Sequence, residues 1–284
     1  MRSLLLAAAV PFAVLASAAG AAVIEGDEGR DRLTGTAEVD VIDAGGGRDL
    51  VRALAGDDVV HAGTDADKIF GGDGRDTLNG DAGGDALYGG PGDDLGLNGG
   101  NGEDTVYGGS GDDVVDGGLS SDVLIGQAGA DRINGGTGTI PAGDEILGGD
   151  GDDVLDGGDG RDAVVGNAGD DRLTGGTGDD RINGNLGVDE AVGGDGDDVL
   201  RAMAWGDVAP DEAPDGTTSD FLHGGGGDDV FRVRDGEPDR VECGDGRDRV
   251  IADAADILVD ADACERVTRL PAVPRPGKDP GAER

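Results

Sequence analysis

Gly148 to Val165 reads GGDGDDVLD GGDGRDAVV, two nine-residue units in tandem. Each has glycine at its first, second and fourth positions, aspartate at its sixth and an aliphatic residue at its eighth. The same frame runs back to Gly26 and forward to Arg201 as nineteen consecutive units, starting at 26, 35, 44, 53, 62, 71, 80, 89, 99, 108, 117, 126, 135, 148, 157, 166, 175, 184 and 193. It is interrupted twice: the unit at Gly89 carries one extra residue and the unit at Gly135 carries four. Every unit keeps the sixth-position aspartate: Asp31, Asp40, Asp49, Asp58, Asp67, Asp76, Asp85, Asp94, Asp104, Asp113, Asp122, Asp131, Asp144, Asp153, Asp162, Asp171, Asp180, Asp189 and Asp198. The eighth position is Leu, Ile or Val throughout, with Ala191 the exception. A solvated glycine-rich linker has no reason to place an aliphatic residue two positions after each aspartate.

Each position has a physical job. Glycines at the first, second and fourth positions allow positive φ angles and close backbone approach, where a Cβ costs roughly 1 kcal/mol or more. Such a turn aims carbonyl oxygens and one carboxylate at a common point, a hard-oxygen donor set that suits Ca²⁺. Magnesium demands a smaller octahedral cage, and zinc prefers His or Cys, of which the array has one His and no Cys. The last three residues of a unit read as a short strand whose middle side chain points opposite to its neighbours.

The unit resembles the calcium-binding nonapeptide of the RTX (hemolysin-type) family. The resemblance implies an all-β chain folded as a parallel β-roll, an RTX-type β-solenoid with two short strands per 18-residue coil. The aliphatic residues would stack inside as two ladders. Each ion would sit between successive turns on one edge, held by aspartates of units two apart and by turn carbonyls. Nineteen units would give about nine and a half coils, on the order of 45 Å of roll. Glu38, Asp65 and Ser120 replace the fourth-position glycine, so looser sites are expected beside them. The fifth-position Asp57, Asp152 and Asp197 are expected to be solvated charges.

Composition bounds the rest. Sixty glycines, 2% aromatic residues and a formal charge of −40 cannot build a conventional core, and without metal the array should be disordered. Roughly seventeen ions, one for each pair of units two apart, would bring about +34 of charge and most of the folding free energy. The same acidity argues against nucleic acid as a partner.

Residues 1–22 read as a cleaved secretory signal, with Arg2, an apolar run from Leu4 to Ala16 and small residues after it. That run is too short to span a bilayer, no later segment is apolar enough, and a secreted, extracellular or cell-surface protein is expected. After the roll at 23–201, the frame breaks over 202–223, a stretch with the only tryptophan, Trp205, and with Pro210 and Pro214. This reads as an insertion loop, covering the end of the roll or binding a partner. One more unit, GGGGDDVFR, supplies Asp229 as a further candidate ligand, and degraded units around Asp239 and in CGDGRDRVI complete a cap at 224–270. Cys243 and Cys264 are the only cysteines; in an exported protein the pair suggests a disulfide, the alternative being a metal pair with no His beside it. The proline-rich tail 271–284 reads as disordered.

Three function classes remain: a calcium-folded structural or surface-interaction module, an enzyme or accessory module of one, and an adhesin-like, carbohydrate- or ice-binding solenoid. There is no HExxH, no GxSxG and no span outside the array long enough for a catalytic domain. His61 and His223 read as surface residues, and threonines such as Thr34, Thr77 and Thr105 recur too sporadically for an ice-binding face. Separating alternate units exposes one further pattern. The outward ninth positions of one set are Phe70, Tyr88, Tyr107, Ile125, Leu147 and Val165 in succession, an apolar stripe expected to contact a second copy, a partner or the chain's own segments.

Overall fold

The computed structural model describes residues 20–137, 143–202 and 219–271. The expected leader lies outside these residues except for its last three, as do Trp205, Pro210, Pro214 and the tail beyond Pro271. The described chain winds into a parallel β-roll of two thirteen-stranded sheets, with successive strands alternating between them. The first sheet runs from Val23–Glu25 to Ile257–Leu258 and the second from Arg32–Thr34 to Arg266–Arg269. Register pairs equivalent positions of adjacent coils, as in Ile133 with Leu155 and Leu155 with Leu173 in the first sheet and Val164 with Ile182 in the second. Among the described residues no helix is long and apolar enough to cross a membrane.

Most strands are twice the length expected from the sequence. Val154–Asp159, for instance, reads VLDGGD and joins the last three residues of one unit to the first three of the next. Its burial alternates so that Leu155 and Gly157 both face inward. The interior therefore has two positions per strand. The eighth-position ladder is buried, Ala191 included, and the first position takes glycine or a small residue such as Ala44, Ala53, Ala202 or Cys243, all of them buried.

The three glycines of a unit do different things. Gly149 and Gly151, at the second and fourth positions, both have φ of 132°, in the left-handed region. First-position Gly148 has no such φ; a Cβ there would collide with Asp153 Oδ2 and the Gly166 carbonyl. Space decides the first position and backbone conformation the other two.

The irregularities are absorbed locally. The extra residue beside Asp94 leaves Leu95 58% exposed, while Leu97 still pairs with Leu78 and Val115. The longer insertion falls about residues 138–142, outside the described residues, and Leu124 on one side pairs with Ile146 on the other.

The break after Arg201 is shorter than its sequence implies. Asp220 and Leu222 take the sixth and eighth positions of a further unit, and Phe221–Gly226 is a strand of the first sheet. The segment 219–223 therefore belongs to the roll, because one aspartate and one inward leucine suffice to continue the ladder even without first- and fourth-position glycines. The expected cap likewise consists of more coils, ending where Asp256 and Glu265 accept the N–H groups of Asp239 and Asp248 at 3.3 and 2.7 Å. At the other end Ala22, inside the expected leader, already donates its N–H to Asp40 Oδ1 at 2.6 Å.

Cys243 and Cys264 are joined by a disulfide with a Cα separation of 5.5 Å. Asp260 accepts the Cys243 N–H within the loop so closed. Replacing both cysteines by serine is expected to cost roughly 3 kcal/mol. Because each coil touches only its neighbours, the loss should be local. Hydrogen exchange checks this: amides after residue 240 should lose protection while those of the central coils keep theirs.

Candidate metal centre

The sixth-position aspartates form two files, one along each turn edge. Asp131, Asp153 and Asp171 follow one another on one edge and Asp144, Asp162 and Asp180 on the other. Each carboxylate uses its two oxygens differently. Oδ1 accepts the backbone N–H of the equivalent aspartate one coil earlier: Asp153 from Asp131 at 2.8 Å, Asp171 from Asp153 at 2.9 Å, Asp180 from Asp162 at 2.8 Å. The pattern crosses both breaks, with Asp144 accepting from Asp122 at 2.7 Å and Asp220 from Asp189 at 2.9 Å.

Oδ2 is different. From Asp49 to Asp198, and again at Asp229, Asp239 and Asp248, it is buried without a hydrogen-bond partner. Burial pushes these carboxyls up, against the lowering effect of the accepted N–H, and at Asp85, Asp113 and Asp153 neighbouring aspartates of the same file add to the rise. Asp85, Asp94, Asp113, Asp122, Asp153, Asp171 and Asp198 are raised to about 7. Asp239 reaches about 8 and Asp220 about 9, again chiefly through burial. A buried, unpaired anionic oxygen is tolerated only with a cation or a proton. Turn carbonyls stand beside it, since the Cβ that Gly148 lacks would meet Asp153 Oδ2 and the Gly166 carbonyl together. The donor set is oxygen only, which fits Ca²⁺.

The family model for the RTX calcium-binding nonapeptide repeat matches residues 25–60, 61–95, 97–124, 117–139, 142–173, 165–200 and 215–237. The chain belongs to the RTX calcium-binding repeat family. No curated protein matches it. It is thus a calcium-binding structural repeat protein, and the match at 215–237 includes Asp220, which the unit pattern alone does not mark because DGTTSD keeps only the second-position glycine, Gly216.

Within this RTX roll the aspartates are not all alike. Asp31 and Asp40 close their own turns, with Oδ2 accepting the N–H of Asp27 and of Thr36. Beside the substituted fourth positions, Asp65 and Ser120 hold the turn with φ of 77° and 95°, and Asp67 and Asp122 keep their unpartnered Oδ2. The turn is thus kept at a strain cost; only at Glu38, beside Asp40, does the carboxylate differ. The fifth-position aspartates are exposed, as expected, but they also bond across coils. Asp57 Oδ1 accepts the Arg75 N–H, Asp152 Oδ1 that of Asp170 and Asp197 Oδ1 that of Asp228, at 2.8 to 3.0 Å. This second ladder runs opposite in sense to the first, and reading single units cannot reveal a bond between coils.

Other candidate residues lie on the outer faces. His61 stands 3.8 Å from Asp81 and His223 3.5 Å from Glu242, on the first sheet. Asp260 lies beside Cys243 and Cys264, whose sulfurs are already bonded to each other. On the second sheet Phe70, Tyr88, Tyr107, Ile125, Leu147 and Val165 are in register and half-buried. The three rings stack on one another at 4.8 and 5.0 Å, with Lys68 over Phe70 and Tyr88.

Proposed function

We propose that this protein is a secreted, non-catalytic RTX roll that folds as Ca²⁺ fills its two turn edges. The observation that carries the reading is the repeated buried Oδ2 without a partner. The proposed ligands are the sixth-position aspartates from Asp49 to Asp198 with Asp229, joined by Asp220, Asp239 and Asp248. Asp31 and Asp40 contribute least, their Oδ2 atoms being occupied within their own turns. Bound calcium supplies the positive charge that lets two files of carboxylates stay ionised inside the edges. The chain's part is to aim the oxygens, which it does through the N–H to Oδ1 bonds and the glycine turns. Secretion is supported by the leader pattern at 1–22 and by the Cys243–Cys264 bond, which persists in oxidising compartments.

Titration calorimetry tests the assignment. Asp153 shares its edge with Asp131 and Asp171. Asp153→Ala should therefore lower the calcium stoichiometry by one or two ions and leave the Asp144 and Asp162 edge unaffected. Loss of all binding would place the metal in a single coupled site and overturn the proposal.

A further inference from the structure

The outer faces of the two sheets carry opposite charge. Strands of the second sheet hold nine Arg or Lys and three Asp or Glu, a net charge of +6. Strands of the first hold nine Asp or Glu and three Arg, a net charge of −6. None of these residues is buried. In a chain of formal charge −40, a face of net +6 is a segregation that composition does not produce.

The charges are also zoned alike along the roll. The second sheet is basic in its first three strands, through Arg32, Arg52 and Lys68, and again from Arg181 onward. Between these zones lies the apolar stripe. The first sheet is acidic in its first two strands, through Glu25 and Asp43, has no acid in the three strands from Val59 to Asn101, and from Asp116 onward is acidic in net, with Arg132, Arg172 and Arg240 among its acids.

We propose that calcium-loaded rolls stack face to face with the same polarity, the second-sheet face of one molecule on the first-sheet face of the next. In that arrangement Arg32 and Arg52 meet Glu25 and Asp43 at one end, Arg201 and Arg249 meet Glu190, Glu242 and Asp245 towards the other, and the aromatic part of the stripe, Phe70, Tyr88 and Tyr107, meets the acid-free stretch around His61, Asn79 and Asn98. Like faces brought together would repel instead. Each face measures about 58 by 20 Å from strand spacing and rise, roughly 1,100 Å². That exceeds the ~800 Å² per partner of a stable interface. The contact is heterologous, so nothing closes it and the product is an open stack. The inference rests on calcium loading, because the bare turn edges would hold copies apart.

The test is sedimentation of the intact chain in Ca²⁺, with circular dichroism confirming the fold of every sample. At low ionic strength the mass should rise with concentration without a plateau, and in about 1 M NaCl, where the screening length is roughly 3 Å, it should fall to the monomer. A basic-face triple variant (Arg32→Glu, Arg181→Glu, Arg249→Glu) should be monomeric. So should an acidic-face one (Asp43→Lys, Asp156→Lys, Asp245→Lys). An equimolar mixture of the two should associate again, because the unaltered basic face of the second variant meets the unaltered acidic face of the first, and the introduced Glu and Lys face each other on the remaining pair. A folded wild type that stays monomeric, a mass that stops at the dimer, or a mixture that stays monomeric would each overturn the stacking. Since folding is read separately, none of these outcomes bears on the calcium assignment.

Discussion

In excess chelator at neutral pH the circular dichroism of the chain should be that of an unordered coil, and Ca²⁺ titration should bring in the full strand signal. The expectation follows from what the metal-free roll would contain. Along each edge, carboxylates from Asp49 to Asp198 would sit one strand spacing apart, each with a buried oxygen lacking any partner. The inward side chains are one aliphatic residue and one glycine or small residue per strand, so the core is thin. With a formal charge of −40 and 60 glycines to order, such a core cannot offset the repulsion and the chain entropy. Metal binding and folding are then one equilibrium. Full strand content in chelator would refute this coupling.

A proton can do part of what calcium does, and this gives the second large effect. The ordinary aspartate value is 3.8, whereas burial raises Asp153 and Asp171 to about 7 and Asp162 in the same direction in the folded roll. Between these values the folded state binds more protons than the unfolded one, so stability falls as pH rises through that window. In chelator, strand signal should therefore increase on lowering pH from 7.5 to about 5, short of the sequence pI near 4.1. With calcium present the sign reverses, since protons compete for the same oxygens. Apparent affinity should drop as pH falls through about 7, with protons released on binding. A chelated chain equally disordered at both pH values would show that the buried carboxyls do not govern folding.

The roll was largely legible because its two determinants are local and periodic. An inward residue at every eighth position and an aspartate at every sixth fix the ladder and the edge without reference to anything distant. Three features escaped for the same reason. Strand length depends on glycines extending into the next unit, which Val154–Asp159 shows and glycine's weak strand preference conceals. Asp220 is hidden because its unit keeps the ligand and the inward leucine but loses the first- and fourth-position glycines to Asp215 and Thr218. The bonds accepted by Asp57, Asp152 and Asp197 join residues a whole coil or more apart in sequence, so only the wound chain brings them together.

The alternation of strands between two sheets makes the array sensitive to parity. A single unit moved in or out would send every later strand to the opposite sheet, carrying Arg181, Arg249 and their neighbours onto the acidic side while leaving every turn and every aspartate file locally sound. The two length irregularities present, of one and four residues, leave the alternation untouched, since Leu97 still pairs with Leu78 and Leu124 with Ile146. The array can thus grow or shrink only by even numbers of units if its two surfaces are to stay distinct, and gene duplication within it must count in coils.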